Sequence, residues 1–370
     1  MHICFLSNCY GEDRSAGLIA TELKKIRPQV RITGAPLISS GKEYTKRGIP
    51  LLTQSRIPPS GGFPTKSLWG FVLDIPYTYI PLKYYLTLKK MRASIDYAVV
   101  IGDIPLLILG YLALRKRTVF LAPAKSNYRR PHYKIEEFLM RKIPQKVLTR
   151  DEYTAQNLRK KGIPAIFLGN PMMDELSPKG INLGEPPIVG ILPGSRSEAY
   201  KNFLRILKVV EKIREKVRFA CALPQSLNVD RIVRLAKKHN WFYEEGMLKK
   251  NESSVLLVKN GFEDVISKSE VIIGLAGTAN EQAAGLGKPV VSFTGCGPQT
   301  TFKRMKDQER LLGGAIKFVP YFPEGVVSEI SFLLSNREER VKRGETGSFR
   351  MGPSGGTKKI ANLLVKEFKL

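Results

Sequence analysis

Histidine is scarce: three in 370 residues (His2, His132, His239), scattered so that they form no metal-like cluster. The four cysteines (Cys4, Cys9, Cys221, Cys296) include no CxxC pair and no disulfide-like spacing. That usage fits a reducing cytoplasm and argues against a structural zinc. No stretch of 18 or more uncharged apolar residues occurs, so no transmembrane helix is expected. The opening "MHICFLSNCYG" lacks a basic region followed by a long apolar segment, so no secretory signal is expected. Two cofactor signatures are missing as well. No Gly-x-Gly-x-x-Gly follows the first strand-like run, which leaves nicotinamide binding unsupported. "GLGKP" at 285–289 lacks the upstream glycine and the following Ser or Thr of a P-loop, which argues against an ATPase. Chemistry must therefore rest on carboxylates, arginines and backbone dipoles.

Acidic residues are also in deficit. There are 33 Asp and Glu against 60 Lys and Arg, a net charge of +27. The bias is uneven: residues 44–150 hold 19 Lys and Arg against 5 Asp and Glu. Such a surface attracts polyanions, whether nucleic acid, anionic lipid or phosphorylated substrate. With 43% hydrophobic and 25% charged residues, the composition is that of a soluble globular protein, long enough for two domains.

Strand-like runs alternate with helical patterns along the chain. "HICFLS", "YAVVIGD" (97–103), "RTVFLAPA", "KVLTRD" and "AIFLGNP" read as short buried strands, with "AGLIATELKKI", "HYKIEEFLMRK" and "DEYTAQNLRKKG" as helices between them. The alternation implies parallel βαβ units. It pauses at "LSPKGINLGEPP" (176–187), a Pro- and Gly-rich linker, and restarts with "IVGILPGSRSEAYKN". The expected class is α/β: two Rossmann-like, doubly wound parallel-sheet domains facing a cleft. The expected boundaries are 1–178 for an acceptor domain, 186–352 for a nucleotide-sugar domain, and 353–370 for a C-terminal helix packing back towards the first domain. Ligands in such sheets bind at the carboxyl ends of the strands.

Two segments approach membrane character. "SLWGFVLDIPYTYIPLKYYLTLKKMR" (67–92) mixes aromatic and aliphatic residues with a basic end, which suits a lipid interface. "DIPLLILGYLALRKR" (103–117) is read instead as a core helix with a charged last turn.

The motifs lie at predicted strand ends. "ILPGSRSEAYKN" (191–202) sets Gly194, Ser195 and Arg196 between a strand and a helix, where backbone N–H groups and a guanidinium suit a diphosphate. "GLAGTANEQAAGLGKPVVSF" (274–293) runs a strand into Gly277, Thr278 and Ala279, with Glu281 in the first helical turn. An anion at the helix N-terminus and hydroxyls on Glu281 would suit a nucleotide sugar; an ordinary packed turn is the competing reading. Asp103 ends the run "VVIGD". It reads either as a general base, its proton affinity raised by partial burial, or as the N-cap of the helix "IPLLILGYLAL". Asp13 is the other candidate base.

These segments, with "GNPMMDEL" (169–176), resemble lipid-A-disaccharide synthase and, more closely, the lipid-A-disaccharide-synthase-related family. "GEDRSAGLIA" (11–20), "PSGGF" (59–63), "GDIPLL" (102–107), "KSNY" (125–128) and "GPQTTFKRMKDQERLLGG" (297–314) extend the likeness over nearly the whole chain. The resemblance implies a GT-B glycosyltransferase. It puts Gly194, Ser195, Arg196, Gly277, Thr278 and Ala279 on the donor diphosphate, and Glu281, with Gln282 beside it, near the ribose or sugar. Gln299 would reach a donor phosphate. Asp103 takes the place of the synthase's mid-domain aspartate. Gly11, Glu12, Lys125, Arg304 and Gln308 are acceptor-side or secondary positions, a solvated basic face being the competing reading for Lys125 and Arg304. The synthase's opening Gly-Glu-Ala-Ser-Gly-Asp pattern is "YGEDRSAG" here, so the acceptor is not carried over.

No Asp-x-Asp metal motif is present, so helix N-termini and arginines must stabilise the leaving diphosphate. The expectation is a metal-independent, inverting transfer, without cofactor, from a UDP-sugar to a lipid or phosphorylated acceptor. The expected location is the cytoplasm, with peripheral contact to the anionic inner face of the membrane and no nucleic-acid partner. The alternatives are a UDP-sugar 2-epimerase-like enzyme and a non-enzymatic binder of nucleotide sugar or polyanion.

Overall fold

The computed structural model describes residues 1–54 and 79–370. "PSGGF" (59–63) and the first part of the aromatic segment, 67–78, lie outside the described residues. The chain divides into two compact units, Met1–Asp174 with Ser354–Leu370, and Glu175–Pro353.

The first unit is built on six strands: β1 (His2–Ser7), β2 (Arg31–Pro36), β3 (Tyr97–Ile101), β4 (Arg117–Ala122), β5 (Lys146–Thr149) and β6 (Ala165–Ile166). They lie in the order β2-β1-β3-β4-β5-β6, every neighbouring pair parallel. Side chains alternate between the two sheet faces, and both faces are covered, which is why these strands are continuous apolar runs. Cys4, Leu6 and Val100 join one core with Leu106, Leu107 and Phe120. Ile3, Phe5 and Val99 join the other, with Ile360, Leu364 and Phe368 of the C-terminal helix Gly356–Phe368. That helix is anchored at its start by Asp174, whose Oδ1 accepts from Gly355 N (2.5 Å) and Oδ2 from Thr357 N (2.6 Å).

The second unit has eight strands: β7 (Ile188–Leu192), β8 (Arg218–Leu223), β9 (Phe242–Glu244), β10 (Met247–Lys250), β11 (Ser253–Lys259), β12 (Val271–Gly274), β13 (Val290–Ser292) and β14 (Ile316–Phe318). Their order is β14-β13-β12-β7-β8-β11-β10-β9. Pairing is parallel from β14 to β11 and antiparallel through β10 and β9. The two-residue turn between β9 and β10 puts Glu245 (φ 47°) and Gly246 (φ 81°) in the left-handed region, as a tight hairpin requires. The linker closes onto this unit. Asp264, fully buried, accepts from the backbone N–H groups of Lys179, Gly180 and Ile181. Burial alone would raise its proton affinity; those donors hold it below the usual aspartate value.

The helix Ile104–Leu114 packs on the core of the first unit, as read for 103–117, but one face stays exposed. It buries Leu106, Leu107, Ala113 and Leu114, yet Leu112 is 50% exposed and Tyr111 39%. No helix of the described residues is long and apolar enough to cross a membrane.

Each sheet reverses its winding direction at one place. In the first unit the chain leaves β1 for β2 on one side and returns to β3 on the other. In the second, β8 and β11 lie to one side of β7, while β12, β13 and β14 lie to the other. Loops leaving adjacent strands at such a reversal diverge and open a crevice at the strand C-termini.

Candidate functional site

The second unit's crevice is framed by the loops after β7 and β12. Leu192 pairs with Gly274 at the strand ends, and Leu275 N donates to Leu192 O (2.8 Å). Gly194 turns at φ +98°, and a side chain there would have its Cβ 3.0 Å from Leu275 O, so only glycine lets the two loops lie this close. Ser195 and Arg196 are exposed beyond that turn. Ser195 O accepts from Ser226 Oγ (2.6 Å) and Arg196 O from Ala199 N (2.9 Å), which fixes the loop at the start of the helix Ala199–Val210.

Across the crevice, Gly277 precedes the helix Thr278–Gly285. Gly277 and Thr278 are exposed, Ala279 and Glu281 half-buried. The turn is held from behind by Gln308, only 7% exposed, whose Nε2 donates to Gly277 O (3.0 Å). Gln308 Oε1 accepts from Asn280 Nδ2 (3.1 Å), which also donates to Gly274 O (3.2 Å). Gln308 thus positions the turn from inside the fold. Gln282, 3% exposed, likewise points into the unit.

A third loop follows β13. Asn202, fully buried on the helix after β7, accepts from Cys296 N (2.6 Å), and Thr300 Oγ1 donates to Cys296 O (2.6 Å). Gln299 stands half-buried in this loop. The next helix, Phe302–Leu312, is N-capped by Thr301, whose side chain accepts from Arg304 N. Its first turn holds Lys303 and Arg304 and no acid, the reverse of the usual complement to a helix N-terminus. Positive potential is concentrated there. The structure therefore gathers Gly194, Ser195, Arg196, Gly277, Thr278, Ala279, Glu281, Gln299, Arg304 and Gln308 at the C-terminal ends of three neighbouring strands.

The first unit's crevice lies between the loops after β1 and β3. These meet directly: a Cβ on Gly102 would be 3.3 Å from Asn8 Cβ. The helix Tyr10–Ile26 begins here, with Gly11 exposed and Glu12 and Asp13 in its first turn, where carboxylates suit the dipole. Asp13 is 1% exposed, and both its oxygens are engaged. Oδ1 accepts from Ser7 Oγ (2.6 Å), and Oδ2 accepts a short bond from Ser39 Oγ. Ser7 Oγ lies 2.6 Å from Tyr44 Oη as well. Burial raises the proton affinity of Asp13 against those hydroxyl bonds. Its contacts tie β1, the helix and the 37–45 loop together. Glu12 accepts from Cys9 Sγ (2.7 Å), and its proton affinity is raised by burial first, with the charges of Asp13 and Asp103 adding to it.

Asp103 is half-buried at the end of β3 and caps the helix Ile104–Leu114. Its Oδ1 accepts from Leu106 N (3.1 Å), and Oδ2 has no partner among the described residues. Lys125, after β4, is already compensated: its Nζ lies 2.6 Å from Glu136 Oε2 and 3.9 Å from the centre of the Tyr133 ring.

Over 296 residues, 76% of this chain and 71% of the relative, the sequence is 25% identical to a lipid-A-disaccharide synthase of Solibacter usitatus (strain Ellin6076). The chain is thus similar in sequence to a lipid-A-disaccharide synthase over most of its length. No protein-family model matches it. Among solved structures, MurG of Acinetobacter baumannii is similar with a TM-score of 0.63 at 14% identity, covering 99% of both chains. UDP-GlcNAc 2-epimerase of Neisseria meningitidis, bound to UDP-GlcNAc, has a TM-score of 0.61 at 17% identity, covering 99% of this chain and 100% of the other. These likenesses establish the fold: two parallel-sheet domains of the GT-B type.

Sequence reasoning missed Asn280, Asn202 and Ser39. Asn280 and Asn202 sit inside the motifs "GLAGTANEQ" and "ILPGSRSEAYKN"; Ser39 carries no local signal.

Proposed function

We propose that the protein is a glycosyltransferase that takes a sugar from a UDP-sugar and passes it to a lipid-borne or phosphorylated acceptor. In this reading the second unit binds the donor. The diphosphate is met by the backbone N–H groups of the Gly194–Arg196 and Gly277–Ala279 turns, by the Arg196 guanidinium and by the basic first turn at Lys303 and Arg304. Glu281 accepts hydroxyl hydrogen bonds from the ribose or sugar. The first unit supplies the base. Asp103, with one oxygen committed to its cap and the other without a partner among the described residues, removes the proton from the acceptor hydroxyl as the sugar arrives. The leaving UDP is stabilised by fixed dipoles and cations that need no reorganisation during the step, and no metal-bound group enters it. The observation that carries the reading is the pair of glycine turns on adjacent strands at the second unit's reversal, locked by Gly194 against Leu275 and by Gln308 against Gly277.

The test is UDP binding, followed by product analysis. At about 100 times Kd, UDP should stabilise the protein by about 2.7 kcal/mol, seen as a raised Tm. Incubation with a panel of UDP-sugars, with and without a bacterial lipid extract, then separates the outcomes. Acceptor-dependent release of UDP supports transfer. Interconversion of the UDP-sugar without acceptor would replace transfer with the 2-epimerase reading that the fold neighbours invite. No stabilisation by UDP would overturn both.

A further inference from the structure

The second unit carries a cavity of about 340 Å³ at the edge of its sheet opposite the glycine turns. The helix Ala199–Val210 connects the two places. It begins just after the Gly194–Arg196 loop at the strand C-termini, and its 12 residues carry the chain back about 18 Å. Its later turns put Leu204, Leu207 and Lys208 on the cavity wall, with Glu211 just beyond its end. The facing wall is the turn that ends the helix Val229–Lys237, together with Lys250 at the end of β10. Since β10 runs antiparallel to β11, and β11 parallel to β8, Lys250 lies at the N-terminal edge of the parallel strands. The cavity is therefore separate from the donor crevice.

The turn is fixed by backbone bonds. His239 N and Trp241 N both donate to Ala236 O (2.8 and 3.2 Å), and Asn240 N donates to Lys237 O (3.1 Å). Asn240 takes the left-handed conformation at φ 62°, which asparagine tolerates at a helix end. Trp241, fully buried, closes the cavity from behind, and its indole N–H donates to Glu211 Oε1 (2.9 Å). Glu211 Oε2 pairs with Lys250 Nζ (2.9 Å). The one carboxylate among the described lining residues is thereby committed twice. The side chains of Lys208, Lys238 and His239 line the same space with no hydrogen-bond or ion-pair partner among the described residues. A lysine at a helix C-terminus complements the macrodipole, which accounts for Lys208 and Lys238 taken singly. It does not account for both opening on one cavity, with a ring nitrogen and an amide beside them and a floor of Leu204 and Leu207.

We infer that this cavity is a second anion site, suited to a small soluble phosphate ester. The two ammonium groups meet the phosphate oxygens as point charges, and the His239 ring and the Asn240 amide supply N–H donors. A bare phosphate would leave most of the 340 Å³ unfilled; the organic part of an ester rests on Leu204 and Leu207, as the apolar lining of a ligand pocket does. The site is independent of the donor reading, because it lies at the other edge of the sheet and uses none of the residues assigned to the diphosphate.

The experiment is titration calorimetry of the full chain at fixed ionic strength, with inorganic phosphate and with glycerol 3-phosphate as probes. Glycerol 3-phosphate should bind more tightly than phosphate. Lys208→Gln with Lys238→Gln should weaken its binding about tenfold or more, as lost charge-assisted contacts do. Both side chains are exposed and glutamine is a good helix former, so the fold and Tm should be kept. Lys358→Gln with Lys359→Gln, exposed on the C-terminal helix, measures what the basic surface contributes in general and should change nothing. Excess UDP should leave the binding in place. Absence of glycerol 3-phosphate binding to the wild type would overturn the inference. So would phosphate binding as tightly as the ester, an undiminished affinity in the Lys208 and Lys238 variant, or an equal loss in the Lys358 and Lys359 variant. Displacement by UDP would place the ester in the donor crevice and overturn it as well, whereas failure of UDP itself to bind would count against the donor reading alone.

Discussion

At the reversal of the first sheet, the loops after β1 and β3 bring Glu12, Asp13 and Asp103 to neighbouring strand ends. At the reversal of the second, the equivalent loops after β7 and β12 bring glycine turns, helix N-termini and Arg196, with Glu281 the one carboxylate among the named residues. Both crevices lie at a winding reversal, and the residues named in them differ in character: carboxylates in the first, backbone N–H groups and guanidinium in the second. A diphosphate keeps its negative charge throughout glycosyl transfer and is best met by fixed N–H donors and guanidinium. A hydroxyl proton must be taken up, and that needs a group able to change its own charge. The contrast between the crevices is therefore the argument for dividing the labour between the units, and it can be attacked from either side.

The largest expected effect comes from the first crevice. Asp103→Asn keeps the cap to Leu106 N, since Asn caps a helix about as well as Asp, but it cannot act as the base. Turnover should fall by about 10²–10⁴-fold, while calorimetric UDP affinity and Tm stay close to wild type. Near-normal turnover would remove Asp103 from the chemistry. Loss of UDP affinity would break the division between the units.

Arg196→Ala attacks the second crevice. Loss of a charge-assisted contact should weaken UDP binding by about 1.5–3 kcal/mol. The side chain is exposed and its backbone bond to Ala199 N is retained, so folding should be unaffected. Unchanged UDP affinity in calorimetry would show that the diphosphate does not lie against this loop.

Gln308→Leu is subtler, because Gln308 acts through the turn that it holds. Gly277 O and Asn280 Nδ2 would each lose a partner in a buried setting, at a cost of about 1–3 kcal/mol for each group left unsatisfied, less where water or a neighbour replaces it. Tm and UDP affinity should fall together. A fall in Tm with UDP affinity intact would mean that the Gly277 turn serves packing alone.

The sequence carried the strand ends well. β7 ("IVGIL") and β3 ("YAVVI") are covered on both faces, so they stand out as unbroken apolar runs, and the glycine turns that follow them mark the crevices. Asp103 kept two readings in the sequence; it caps the helix through Oδ1, and Oδ2 has no partner among the described residues. What could not be read is whatever depends on closure of the fold. Asn202 meets Cys296 across 94 residues, and Asp174 caps a helix 181 residues away. "GNPMMDEL" looks like a site motif in the linear chain; Asp174 within it anchors the C-terminal helix. Asp13, a candidate base by position, is enclosed by Ser7 and Ser39. Ser39 is an unremarkable serine until the loop that carries it folds over β1.

The smallest expected effect concerns Glu12 and separates its burial from its neighbours. The folded protein holds the Glu12 proton more tightly than the unfolded chain, chiefly because burial disfavours the charge. Below the unfolded-state value of about 4.3 both states are protonated, and the favourable contribution is complete. As pH rises, the unfolded chain releases its proton first, so stability falls until pH has passed the raised folded-state value, and then levels off. Asp13 is shifted the same way and adds a parallel descent. Glu12→Gln retains an oxygen to accept from Cys9 Sγ but carries no charge at any pH. Wild type and variant should therefore have nearly the same Tm in acid, and the variant should be the more stable at neutral pH, the gap opening above about pH 4. The descent due to Asp13 is present in both proteins and cancels in the difference apart from its coupling to the Glu12 charge. Repeating the comparison in an Asp103→Asn background should narrow the gap slightly, because the Asp103 charge raises the Glu12 proton affinity only as a minor contributor after burial. Parallel Tm–pH curves for wild type and Glu12→Gln would mean that Glu12 is solvated like a surface carboxylate, and the first crevice would then be no drier than the second.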